Sequence, residues 1–146
     1  FTVSPIRHLK DGLHGNQLSK ANLLIAIDQI CSQMDFCHYF PSYEIMIDEL
    51  RDYRFYADDM MHPSPLAIQY IWECFCNCYF TPSTLSFLKE WNKIRQGLAH
   101  RPFNPESEAY QTFLSQILLK IEDLKEKLPY LDVQKEIKLC QAQLKK

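Results

Sequence analysis

Apolar residues recur at helical spacing along most of this chain, and the short exceptions give the pattern its organisation. Phe1-Thr2-Val3-Ser4 reads as a strand. Pro5 closes it, since proline holds the residue before it extended and cannot donate to a ladder. Residues 7–18 include Arg7, His8, Lys10, Asp11, Gly12, His14, Gly15 and Asn16, which predicts a polar loop. Ser19 is the expected cap of the next helix, where Leu23, Ala26, Ile27, Ile30 and Met34 share one face. A second strand is predicted over 36–40, ended by Pro41, with a short helix from Ser42 through Ile45 to Leu50. Strand, loop, helix and strand in that order predict a right-handed βαβ unit with parallel strands. The loop after its first strand lies where open α/β sheets bind ligands.

The second half reads as helix throughout. Ser64-Pro65 is a cap followed by proline at the first helical position, opening a helix to about Tyr79. Gln69, Glu73 and Asn77 form its one continuous polar stripe, which predicts a mostly buried helix. Thr81-Pro82 starts another, marked by Leu85, Leu88, Trp91 and Ile94 and stopped near Gly97. His100-Arg101-Pro102-Phe103-Asn104-Pro105 is a stiff connection. The longest amphipathic stretch follows, through Tyr110, Phe113, Leu114, Ile117, Leu118, Ile121, Leu124 and Leu128. Beyond Pro129 a shorter helix with Val133, Ile137, Cys140 and Leu144 can fold back as an αα-hairpin.

Composition narrows the function classes. With 146 residues, 47% of them apolar, the chain can bury a single core. A formal charge of -2 argues against nucleic acid as a partner. No apolar run of about 18 residues is present to span a bilayer. Six cysteines raise the question of disulfides, but Cys74, Cys76 and Cys78 crowd one helix, where neighbours two apart face different ways. They read as small buried hydrophobes, and the same divergence speaks against a zinc site. No secretory leader is visible, so both cytoplasmic and periplasmic locations stay open. A chain that starts inside a strand reads as the later part of a larger protein. Such a piece is expected to expose apolar surface, or to self-associate through that surface or through its helical tail.

Two stretches carry candidate chemistry. Asp59 and His62 stand three residues apart just before the Ser64-Pro65 helix start, on a loop stiffened by Pro63 and Pro65. Asp59 can orient the imidazole as in an acid–base relay; the same residue types also make ordinary turns. Upstream, Arg51-Asp52-Tyr53-Arg54-Phe55-Tyr56 is rich in guanidinium and phenol groups. Arg54 or Tyr56 could hold a carboxylate or sugar oxygen. Alternatively, Arg51 and Arg54 pair with Asp48, Asp52 or Asp58 and lock the loop.

Several segments in order resemble the bacterial GSCFA family, and more broadly the SGNH (GDSL-like) hydrolases. They are Thr2-Val3-Ser4-Pro5-Ile6-Arg7-His8, Tyr39-Phe40-Pro41-Ser42-Tyr43-Glu44, Asp52-Tyr53-Arg54-Phe55-Tyr56, Asp59-Met60-Met61-His62-Pro63-Ser64 and His100-Arg101-Pro102-Phe103-Asn104-Pro105. The resemblance implies an α/β fold, with residues 1–80 as the C-terminal part of a parallel-sheet sandwich and 81–146 as a helical extension. It also implies the acid–base portion of a serine esterase or acyl-ester hydrolase, with Asp59 and His62 catalytic and the nucleophile serine upstream of Phe1. The substrate would be a small-molecule or carbohydrate ester, with no cofactor. Two other classes compete. One is a non-catalytic carbohydrate- or protein-binding module. The other is a metal hydrolase in which His8, His14 or His38 joins Asp59 and His62.

Overall fold

The computed structural model describes residues 1–144, and the chain divides into two compact units, Phe1–Phe80 and the stretch from Thr81 onward. Helices dominate both. In the first unit a 3₁₀ turn (Leu9–Asp11) leads into α1 (Gly12–Gln33), and the single turn α2 (Ser42–Glu44) runs into a π-helical turn (Ile45–Glu49). A second 3₁₀ turn (Tyr53–Phe55) precedes α3 (Pro65–Tyr79). The second unit holds α4 (Pro82–Ala99), α5 (Glu108–Lys127) and α6 (Gln134–Gln143).

No β-strand forms among the described residues; the one β-bridge is an isolated antiparallel pair, Tyr56 with Pro63. This overturns the expected α/β parallel-sheet sandwich and with it the placement among SGNH-type folds. The segments 1–4 and 36–40 do meet. The Phe1 amine donates to the His38 carbonyl at 2.7 Å, and the Phe40 N–H donates to the Phe1 carbonyl at 2.8 Å. That single step has the register of parallel pairing, but nothing extends it into a ladder. A sheet needs about three strands with a shared apolar face to hold itself together, and no described segment supplies a third. The ends are tied by side chains instead, with Ser42 Oγ donating to the Val3 carbonyl at 2.9 Å.

Helix α1 also begins earlier than its predicted cap. Gly12, Gly15 and Asn16 lie within it rather than in a loop. A glycine in a helix costs roughly 0.5–1 kcal/mol relative to alanine, and here the inward polar side chains anchor the helix to the preceding segment. Asn16 Oδ1 accepts the His8 N–H at 2.9 Å, and Lys20 Nζ donates to the Ser4 carbonyl at 2.6 Å. Asn16 and Lys20 are the buried residues of this helix, whereas Leu13, Leu18 and Ile25 are exposed. The predicted row Leu23, Ala26, Ile27, Ile30 and Met34 has no fully buried member.

The core of the first unit is a cluster of Met46, Leu50, Tyr56 and Ala67, flanked by Ile45, Phe55, Tyr70 and Ile71. Ser64 caps α3 by accepting the Ala67 N–H at 3.3 Å, and Pro65 occupies the first turn, as the sequence predicts. The helix is less buried than its composition implies: Ala67 and Cys76 are buried, while Leu66, Ile68 and Trp72 face solvent. Phe40, Trp72, Phe75, Tyr79 and Phe80 form a ring cluster at its C-terminal end, with centroids 4.9–6.1 Å apart. The six cysteines are all free, and of the three on α3 only Cys76 is buried.

In the second unit Ile94, Ile117, Ile121, Leu124, Val133 and Cys140 make the core of a three-helix cluster. Thr81 and Ser107 cap α4 and α5 by accepting the N–H groups of Thr84 and Tyr110, each at 3.3 Å. Gly97 allows α4 to lie close on α5. A Cβ there would sit 2.5 Å from Ile117 Cδ1, so the missing side chain makes room for the isoleucine. No helix among the described residues is long and apolar enough to cross a membrane.

Candidate functional site

The loop between Tyr56 and Ser64 brings Asp59 and His62 together. Asp59 Oδ1 accepts the N–H groups of Met61 at 2.9 Å and His62 at 3.0 Å, while Oδ2 lies 2.6 Å from His62 Nδ1. The hairpin is closed by Ala57 N–H to the His62 carbonyl at 2.8 Å and by Ser64 N–H to the Phe55 carbonyl at 2.7 Å. Met60, at its tip, takes a left-handed φ of 60°, which carries a strain cost for a side chain of its size. The carboxylate bonds hold that conformation in place.

Three bonds to one carboxylate favour its charged form. The His62 and Met61 backbone N–H groups, followed by the His62 ring, hold the Asp59 carboxyl at about 2, below its ordinary 3.8. Asp59 is thus ionised at neutral pH, and Nδ1 of His62 carries the proton it donates. A folded value below the unfolded one means the unfolded chain binds the extra proton between them. The contribution is therefore complete above about pH 4 and is lost as pH falls toward 2. A carboxyl NMR titration should place Asp59 near 2. In His62→Ala the midpoint should rise but stay below 3.8, because the backbone donors remain; a midpoint of 3.8 in the unsubstituted protein would refute this account.

The acid–base limb of a serine esterase, expected of this pair, is corrected by its surroundings. Both side chains are half exposed, on a loop with no parallel sheet to present them. Among the described residues no catalytic cluster assembles around the pair. The expectation of an ester hydrolase falls with the scaffold it depended on. Nor do His8, His14 and His38 converge on Asp59 and His62: among the described residues no three His, Cys, Asp or Glu side chains come close enough to share a metal ion.

A different site lies beside this loop, and Arg7 joins the two. Its Nη1 donates to the Met60 carbonyl at 3.1 Å, and its guanidinium carbon stands 4.1 Å over the Tyr56 ring. Arg7 and Tyr56 also line a cavity of about 260 Å³. Pro5 and Arg7 supply one wall, Asn16 and Gln17 come from α1, and Tyr43, Ile47 and Arg51 come from the turns that follow it. Tyr53 completes the rim. The Tyr43 hydroxyl donates to Gln17 Oε1 at 2.8 Å, which leaves the Gln17 amide N–H groups available. Lys20, only 2% exposed, has its Nζ 5.8 Å from the Tyr43 ring, and burial pulls its pKa down.

Of the residues singled out by sequence, Tyr56, Arg7 and Asn16 belong to this cavity. Arg54 does not: it is tied to Asp52, with Nη2 donating to Oδ2 at 3.0 Å and the backbone N–H to Oδ1 at 2.9 Å. That locking role was one of its two predicted readings. Arg51, read there as another locking residue, has neither ion pair nor hydrogen bond among the described residues and lines the cavity instead. Tyr53 stands in the phenol-rich stretch singled out by sequence, whereas Gln17 and Tyr43 were not identifiable as site residues, since no spacing links them to Arg7.

Comparison with known proteins covers most of the chain. The model described as the GSCFA family matches residues 1–75, and the GSCFA domain protein C-terminal domain matches residues 91–146. No curated protein and no solved structure matches the chain.

Proposed function

We propose that this chain, which belongs to the GSCFA family, acts as a non-catalytic binding module whose first unit holds a carbohydrate. The reading rests on one observation: amide, phenol and guanidinium groups from distant segments surround a single cavity. At about 260 Å³ it lies near the lower end of ligand sites, roughly 300–1,000 Å³, and suits one sugar ring. Asn16 and Gln17 supply side-chain amides, and Tyr43 and Tyr53 supply hydroxyls, the neutral groups that match a sugar's alternating donors and acceptors. Tyr53, 66% exposed at the rim, supplies an aromatic ring of the kind that packs on sugar C–H groups. The Asp59–His62 loop serves this site by shaping the backbone that holds Arg7.

A saccharide panel followed by amide NMR should show binding, with shifts gathered on residues 5–7, 16–17 and 51–56. No ester in a matched panel should be hydrolysed. Tyr53→Ala removes one ring contact, worth about 0.5–1.5 kcal/mol, and should weaken binding by roughly two- to tenfold without altering the fold. Absence of binding to every saccharide by folded protein would reject the proposal.

A further inference from the structure

We infer that the cavity takes an acidic sugar, a saccharide bearing a carboxylate, with Arg51 and Arg7 as the groups that receive its charge. The inference rests on the carbohydrate reading and goes beyond it by naming the ligand class. Its ground is an imbalance of charge. Two guanidinium groups line the cavity, and no Asp or Glu does. The acidic side chains nearest in sequence to Arg51 are engaged elsewhere or stand outside the lining. Asp52 is held by Arg54, and Glu49 accepts from the Tyr70 hydroxyl. Asp48 belongs to the same turn but is not part of the wall. Arg51 is thus an uncompensated cation at a polar cavity.

Arg7 differs in being fixed. One nitrogen is spent on the Met60 carbonyl, and the guanidinium carbon stands 4.1 Å over the Tyr56 ring, which anchors the group and leaves its other N–H donors for a ligand. A guanidinium presents a planar fork, and a carboxylate is the planar acceptor that matches it. The whole chain carries a formal charge of -2, so its overall field gives an anion no general attraction. The preference must arise locally, at these two side chains.

The test compares three probes on the intact protein: a neutral hexose, the corresponding hexuronate, and the methyl ester of that hexuronate. The ester keeps size and shape while removing the charge. Hexuronate should bind about tenfold more tightly than the other two at low ionic strength, since a hydrogen bond to a charged group is worth more than a neutral one. In Arg51→Gln that advantage should shrink to about twofold. Because Arg51 makes no hydrogen bond or ion pair among the described residues, the variant should keep its amide spectrum away from the cavity. Arg7→Lys preserves the charge but loses the fork, and should also lower the advantage.

Equal binding of all three probes would overturn the acidic-sugar inference while leaving the carbohydrate reading standing. An undiminished hexuronate preference in the Arg51→Gln, Arg7→Lys double variant would overturn it too, by placing the carboxylate elsewhere. Failure of these probes together with every member of the saccharide panel would remove both.

Discussion

Ile121→Ala should destabilise the second unit by about 2–5 kcal/mol, enough to lower its melting temperature by roughly 10 °C or more. Ile121 has no solvent-accessible surface and lies in the cluster with Ile94, Ile117, Leu124, Val133 and Cys140. Removing its outer carbons forfeits their transfer from water and leaves a cavity between α4, α5 and α6. The helices cannot close over that gap freely, because other contacts already fix them. Gly97 is fitted to Ile117, and the Tyr110 hydroxyl donates to Gln143 Oε1 at 2.7 Å. Leu119→Ala on the same helix is the control, since Leu119 is 64% exposed and should shift stability by under about 0.5 kcal/mol. Hydrogen exchange of the α5 amides reads the second unit directly. Equal protection in the two variants would show that this cluster does not hold the unit together.

That core was legible in the sequence because its causes are local. Helical periodicity placed Leu114, Ile117, Ile121 and Leu124 on one face, and they are the buried residues of α5 together with Tyr110. Ser64 and Thr81 were readable as caps for the same reason: each acts on an N–H three residues away. The sheet failed because pairing is not local. Phe1-Thr2-Val3-Ser4 has the residue types of a strand, and Val3 is indeed buried, yet a strand exists only where another chain segment runs beside it. Family membership in GSCFA holds, but the wider SGNH placement fell with the parallel sheet carried along with it.

The start of α1 was hidden by a different effect. Asn16 and Lys20 look like surface residues, but one accepts from the His8 backbone and the other donates to the Ser4 carbonyl, so the helix buries its polar side. Asp59 and His62 were found because three residues of separation suffice to predict their meeting. Their chemistry was not, since the spacing that aligns a catalytic dyad also suits a carboxylate bonding the two N–H groups ahead of it. The cavity was the least legible feature. Its walls come from residues 5–7, the first turns of α1, the π-helical turn and residues 51–56, which only the fold brings together.

The fold's support for that cavity predicts the second large effect. Met46→Ala should cost the first unit about 2–5 kcal/mol, whereas Met46→Leu, which conserves volume, should cost less than about 1.5 kcal/mol. Met46 has no exposed surface and packs with Leu50, Tyr56 and Ala67. It sits in the π-helical turn, where Leu50 N–H donates to the Ile45 carbonyl at 2.8 Å across five residues. The next residue, Ile47, lines the cavity, as does Arg51 just past the turn, and Tyr56 belongs to both cluster and cavity. A hole at Met46 therefore frees the side of Tyr56 that the cluster braces, and with it the ring on which Arg7 rests. Saccharide affinity should fall in Met46→Ala even under conditions where the variant is fully folded, and should survive in Met46→Leu. Denaturant unfolding and a saccharide titration on both variants separate the two roles. If alanine and leucine at this position unfold at the same denaturant concentration, the cluster is not the support of the turn. If only stability differs and affinity does not, Tyr56 and Arg7 are held by the Asp59–His62 loop alone, through the bond to the Met60 carbonyl.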